Sequence, residues 1–165
     1  MPLIMKVSGL TIDPVTNSPI MILKSLDGDI VLPIWIGLLE AVAIAAELEN
    51  VRFPRPMTHD LFKSVMDNVQ VNIEKIEVCD LKDNTYFAQI LFHVKDKDFF
   101  LDARPSDAVA LALKTKSPIY VHEHVLEKSR RLTANPEALV NTEEGKQWAD
   151  ILEKLDPEDF SKYKM

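Results

Sequence analysis

The chain has 165 residues but only one cysteine, four glycines and no long apolar run. A lone Cys79 cannot close an internal disulfide and has no CxxC partner, which removes disulfide-stapled scaffolds and cysteine-rich zinc sites. The glycines are too few and too scattered for a phosphate-cradling loop: no GxGxxG, no P-loop and no GxSxG nucleophile elbow occurs. No apolar stretch approaches the roughly 18 residues that suggest a membrane span. The opening MPLIMKVSGL lacks the apolar core and small-residue cleavage site of a secretory signal. Basic residues are also scarce, 19 Lys and Arg against 26 Asp and Glu, for a net charge of -7. That balance disfavours broad phosphate neutralisation, on which non-specific nucleic-acid binding depends. It leaves room for a local basic site or for an acidic site holding a divalent ion. The expectation is a cytoplasmic protein that does not enter a membrane.

What is present is an ordinary globular composition, 47% apolar and 27% charged, in a chain long enough for one domain with a real core. The segment DAVALAL at 107–113 echoes EAVAIAA at 40–46, an offset of 67 residues. The same offset pairs Asp13 with Asp80, Asn17 with Asn84, Asp29 with Asp96, Leu23 with Ile90 and Leu32 with Phe99. Each half reads as three strands and a helix. Strands near 3–12, 19–26 and 30–36 precede a helix near 38–50. Strands near 70–80, 85–95 and 98–103 precede a helix near 106–116. Asp27-Gly28 and Asp83-Asn84 supply the positive φ that tight turns need. The fold expected is α+β: a duplicated β-β-β-α unit with a mixed or antiparallel sheet. Between the halves a helix starts after Thr58, since Leu61, Phe62, Val65 and Met66 recur at helical spacing. A short strand at 118–121 and a helix near 123–130 follow the second half. One domain is therefore expected over residues 1–135, with repeats at about 3–50 and 70–116. Residues 136–165 form a C-terminal helical extension whose amphipathic helix spans 143–154. The two repeat helices are apolar nearly all round, interrupted in the first by Glu40 and Glu47. Such helices require cover on more than one face, either from each other or from a second copy; a homo-oligomer is expected.

Two polar clusters share a format. Arg55-Pro56-Met57-Thr58-His59-Asp60 and Arg104-Pro105-Ser106-Asp107 each run Arg-Pro, hydroxyl, Asp, then apolar helix. Thr58 and Ser106 suit N-cap positions. Asp60 and Asp107 suit the positive end of a helix dipole. Capping does not account for Asp102, at the end of the apolar strand FFLDA, or for the guanidinium forks of Arg55 and Arg104, which match carboxylate or phosphate. The offset aligns Asp102 and Arg104 with Trp35 and Gly37, so Asp-x-Arg is a departure from the repeat. Carboxylates converging with an Arg and a His could hold Mg²⁺ or Mn²⁺ and activate water for phosphodiester hydrolysis. The triplet His122-Glu123-His124 lacks the HExxH spacing of a zinc protease.

VLPIWIGLLEA, FPRPMTHDL, LKDNTYFAQI, LDARPSDAVALALK and PIYV, in this order and at these separations, resemble the bifunctional nuclease domain family over residues 3–130. The family takes its name from plant members with RNase and DNase activity. The resemblance implies a compact, oligomeric α+β protein that hydrolyses phosphodiester bonds in DNA or RNA, with nucleic acid as partner and Mg²⁺ or Mn²⁺ as candidate cofactor. Its motif positions are Glu40, Arg55, Thr58, His59, Asp60, Asp102, Arg104, Ser106 and Asp107. Of these, Asp102, His59, Asp60 and Asp107 are the expected catalytic residues and Arg55 and Arg104 the expected phosphate contacts. Glu40, Asp102 and Asp107 are the expected metal ligands. The competing reading is a non-catalytic oligomeric module that binds a small anion or a protein partner.

Overall fold

A computed structural model describes residues 1–133 together with 150, 151 and 154. The elements run β1 (Leu3–Ile12), β2 (Pro19–Ser25), β3 (Val31–Trp35), α1 (Leu38–Leu48), α2 (Thr58–Asn68), β4 (Val71–Lys82), β5 (Thr85–Val94), β6 (Lys97–Ala103), α3 (Pro105–Thr115), β7 (Ile119–Val121) and α4 (Glu123–Leu132). The fold is α+β, with two β-β-β-α units in succession. Of the expected C-terminal helix, Asp150, Ile151 and Lys154 are helical and Ile151 packs against the core. The rest of the 136–165 extension lies outside the described residues.

All seven strands form one mixed sheet in the order β3-β2-β1-β7-β4-β5-β6. Two antiparallel meanders flank β7, which runs parallel to β4 and antiparallel to β1. The β4–β5 hairpin closes through Asp83 and Asn84, both at positive φ (47° and 59°), as a two-residue primed turn requires. Pro33 sits in β3, an edge strand, where its missing N–H leaves no gap in an interior ladder.

The strands do not keep a strict period of two. In β4 the register with β5 shifts between Ile73 and Lys75 and again between Val78 and Asp80. Those irregularities let Ile73, Ile76, Val78 and Leu81 all bury, although two of the three steps between them are three residues long. Opposite them on β5, Ala88, Ile90 and Phe92 are buried on the same face. Helix α3 contributes Ala108, Val109, Leu111 and Ala112 to this core and α1 contributes Ala41, Ile44 and Ala45. Each fully buried aliphatic side chain, such as Ile76 or Val109, stabilises by about 1.5–3 kcal/mol. The alanines keep α1 and α3 close to each other, so within one chain the two apolar helices largely cover one another.

The caps differ from expectation. Helix α2 starts at Thr58 with Met57 as N-cap, and α3 starts at Pro105 with Arg104 as N-cap. Thr58 and Ser106 therefore lie inside the first turns, and neither N-cap makes a side-chain capping bond. Proline takes the first helical position of α3, where its fixed φ suits the helix and no N–H is missed. At α2 the capping contact comes from inside the helix: Asp60 accepts the Met57 N–H at 2.9 Å.

Candidate active-site cleft

Ion pairs at both ends set α1 and α3 side by side and parallel. Glu40, in the first turn of α1, accepts from Arg104 Nη1 at 2.8 Å at the head of α3. Glu47, near the end of α1, accepts from Lys114 near the end of α3. The start of α2 lies against the middle of α3 and reaches both ways. His59 Nε2 meets Asp107 Oδ1 at 3.0 Å, while Asp60 accepts from Lys114. Asp107 and Lys114 are seven residues apart, so the two polar groups stand about 10 Å apart along α3.

The first group is built on Arg104. Its Nε and Nη2 donate to the two oxygens of Asp107, at 2.8 and 3.1 Å, and Nη1 donates to Glu40. A guanidinium has five N–H donors, so these three bonds leave two. Burial works against ionisation of Asp107. The hydrogen bonds from Arg104 and then from His59 outweigh it and hold the carboxyl below its usual range. With Asp107 ionised, His59 is a donor at Nε2. Its Nδ1 has no protein partner among the described residues and is the basic nitrogen of that tautomer. Gly37 is part of this arrangement: a Cβ there would collide with the Glu40 carboxylate, which folds back over the start of α1.

The second group is built on Lys114, which is 11% exposed and bridges Glu47 and Asp60. Burial alone would lower the Lys114 pKa. Hydrogen bonds to Asp60 and Glu47 prevail and raise it. For Asp60, burial is again opposed by the Lys114 hydrogen bond and the Met57 N–H, and the carboxyl is held below its usual range. Arg52 adds a longer contact to Glu47 at 3.5 Å.

Between the two groups lies a cleft of about 600 Å³, walled by α1 on one side and residues 51–57 on the other. His59, Asp60, Asp107, Arg104, Glu40 and Thr58 all line it. Ser106 lines instead a second space of about 290 Å³ on the far side of Arg104 and Glu40.

Two expected site residues are elsewhere. Asp102 pairs across the sheet with Gln89, which pairs with Glu77. Its neighbours Leu101 and Ala103 share the row of Ile90 and Ala88, the helix-covered face, so alternation sends Asp102 to the opposite face. The Asp-x-Arg pair is thus split by strand geometry: Arg104 joins the cleft and Asp102 does not. Arg55 is exposed, does not line the cleft, and makes no hydrogen bond or ion pair among the described residues. The expected metal set of Glu40, Asp102 and Asp107 is consequently not assembled. Arg104 already occupies the space between Glu40 and Asp107, and a divalent ion there would have to displace it. No group of three or more His, Cys, Asp or Glu able to hold an ion occurs among the described residues. His122 and His124 face Glu77 and Asp80 at 3.4 and 3.6 Å, on the side of the sheet away from the cleft.

Lys114 and Glu47 are the members that motif reading missed. They stand 67 residues apart, the offset that aligns the two helices in sequence, with opposite charge on largely apolar helices. That complementarity was the available signal.

This is a parallel helix pair crossed by a third helix, over a mixed sheet, with a cleft at the crossing that carries polar groups at its ends. The profile of the bifunctional nuclease domain matches residues 21–133, and the chain belongs to the bifunctional nuclease domain family. An uncharacterized protein of Mycobacterium tuberculosis is 36% identical over 160 residues, covering 94% of this chain and 96% of its own. Bifunctional nuclease 2 of Arabidopsis thaliana is 31% identical over 109 residues, covering 64% of this chain and 33% of its own. Bifunctional nuclease 1 of Oryza sativa subsp. japonica is 26% identical over 109 residues with the same coverage. No described helix is long and apolar enough to cross a membrane.

Proposed function

We propose that the chain hydrolyses phosphodiester bonds in nucleic acid, with His59 as the general base. The observation that carries this reading is the His59–Asp107 pair, 3.0 Å apart in a cleft beside Arg104, in a member of a family with nuclease relatives. Asp107 orients the ring and stabilises the imidazolium that forms when Nδ1 takes a proton from water. The hydroxide equivalent attacks phosphorus, the P–O bond to the leaving sugar oxygen breaks, and that oxygen takes a proton from solvent. The unused donors of Arg104 stabilise charge on the phosphoryl oxygens. The side chains do not fit a resident Mg²⁺ or Mn²⁺, so no step is assigned to one. The test is cleavage of labelled RNA and DNA by the wild type and by His59→Ala purified in parallel, each with Mg²⁺, with Mn²⁺ and with EDTA. General-base loss should slow cleavage by about 10²–10⁴-fold. Equal rates from both preparations would remove His59 from the reaction, and no cleavage by either would leave an anion-binding module.

A second copy of the chain is proposed as partner, on a different surface from the one helical apolarity suggested. Strand β6 is an edge of the sheet among the described residues, and its Phe99, Phe100 and Leu101 are exposed. Phe92 links Phe99 to Phe62 of α2, at ring separations of 5.4 and 6.4 Å, and Leu61 and Val65 extend the patch. An apolar open edge of this kind invites pairing. Light scattering of Leu61→Glu beside the wild type tests it: a mass of one chain for both would rule out assembly.

A further inference from the structure

We infer that the cleft takes one unpaired nucleotide, base against α1 and phosphate at the His59–Arg104 end, so that the substrate class is single-stranded nucleic acid. The cleavage part of this inference rests on the nuclease reading above; the binding part does not.

The inference starts from the shape of α1. Leu39, Val42, Ala43 and Ala46 line the cleft at the spacing i, i+3, i+4, i+7, one continuous helix face. Two of the four are alanines, and the space they leave is what makes the cleft. Val51 and Met57 stand on the opposite wall. The result is an apolar slot with ionic groups at its two ends, Arg104 and His59 at one and Lys114 and Arg52 at the other. At about 600 Å³ it falls inside the ~300–1,000 Å³ range of sites that enclose a small molecule. A flat apolar group with an anion attached at one edge fits this distribution of chemistry; a bare inorganic anion leaves the slot unused.

Charge separates the single strand from the duplex. The chain carries a net charge of -7. Arg104 and Lys114, cations of the cleft walls, are already paired with carboxylates, so the cleft offers local phosphate contacts without an extended basic track. Affinity must then come from the base. In a duplex the base is stacked and paired and must be extruded before it can enter a slot; in a single strand it is already available.

The experiment uses the full chain. Calorimetry compares thymidine 5′-monophosphate with inorganic phosphate, for the wild type, Ala43→Leu and Leu39→Ala. Ala43→Leu fills the slot with a good helix former. Leu39→Ala trims an exposed wall residue and guards against a packing artefact in the first variant. The cleavage arm compares a single-stranded oligonucleotide with its duplex. The nucleotide should bind at least tenfold tighter than phosphate, and both variants should cut that margin severalfold while leaving phosphate binding unchanged. Single strand should exceed duplex at least tenfold in kcat/KM, and Ala43→Leu should act through KM. Nucleotide binding no tighter than phosphate, together with equal cleavage of strand and duplex, overturns the inference and leaves the nuclease reading intact. No cleavage of either, together with a nucleotide margin sensitive to both variants, overturns the nuclease reading and supports the nucleotide cleft.

Discussion

Replacing Lys114 with Met removes one charge and keeps the length and volume of the side chain, so the packing along α3 is preserved. What changes is the company of two carboxylates. Glu47, 12% exposed, loses its principal cation and keeps only the 3.5 Å contact with Arg52. Asp60, 34% exposed, keeps the Met57 N–H. Removing one partner of a fully buried pair costs about 3–5 kcal/mol, and an exposed pair is worth about 0–1. With one carboxylate largely buried and the other discounted for solvent, the expected loss at pH 7 is about 2–3 kcal/mol. For a domain of this size that lowers Tm by roughly 4–12 °C.

The pH dependence follows from the two shifted groups. The Asp60 carboxyl is held below its ordinary 3.8, so its share of the stabilisation is present above that value and lost as pH falls through the folded value. The Lys114 ammonium is raised above 10.5, so its share is complete below 10.5 and lost as pH rises through the folded value. The difference between wild type and Lys114→Met should therefore form a plateau between about pH 5 and 10 and shrink on both sides. Thermal unfolding followed by circular dichroism across that range measures it. A difference below about 0.5 kcal/mol at pH 7, the level of an ordinary surface substitution, or one that does not shrink in acid, would refute the bridge.

Three further outcomes follow from the same geometry. Asp102→Asn should leave cleavage within about twofold of wild type, because the residue lies on the sheet face away from the cleft; a loss approaching the general-base range of about 10²-fold would place Asp102 back in the reaction. Gly37→Ala should cost little stability, since the colliding atoms belong to the flexible end of Glu40. It should raise KM by freeing Arg104 from that partner, and an unchanged KM in steady-state kinetics would show that Glu40 does not position Arg104. Lys116 ends α3 at a φ of 57°, the left-handed conformation usually taken by glycine. Lys116→Gly should stabilise by about 0.5–1 kcal/mol in chemical denaturation, the relief of the left-handed strain minus the added chain entropy; a destabilised variant would contradict that balance.

Strand and helix positions were readable because their causes are local. The Asp83-Asn84 turn and the helical spacing of Leu61, Phe62, Val65 and Met66 each act over a few residues. The first-turn positions of Asp60 and Asp107 were readable for the same reason. Cap identity was misjudged by one or two residues at Thr58 and Ser106, because α3 starts on the fixed φ of Pro105 with no side-chain cap, and at α2 the side-chain bond is the one from the Met57 N–H to Asp60. Asp102 was misjudged because FFLDA carries no parity signal: β6 is a sheet edge with exposed apolar residues on both faces, so nothing in the segment says which side is inside.

By itself, then, the sequence determined the order of elements, the turns, the apolar character of α1 and α3, and the polar inventory at the helix starts. Only the tertiary structure decided which of those polar groups meet. His59 reaches Asp107 across 48 residues, Asp60 reaches Lys114 across 54, and Glu47 reaches Lys114 across 67. Those meetings depend on α2 crossing the parallel pair of α1 and α3, a placement set by burial of three helices on one sheet face, and no local pattern encodes it.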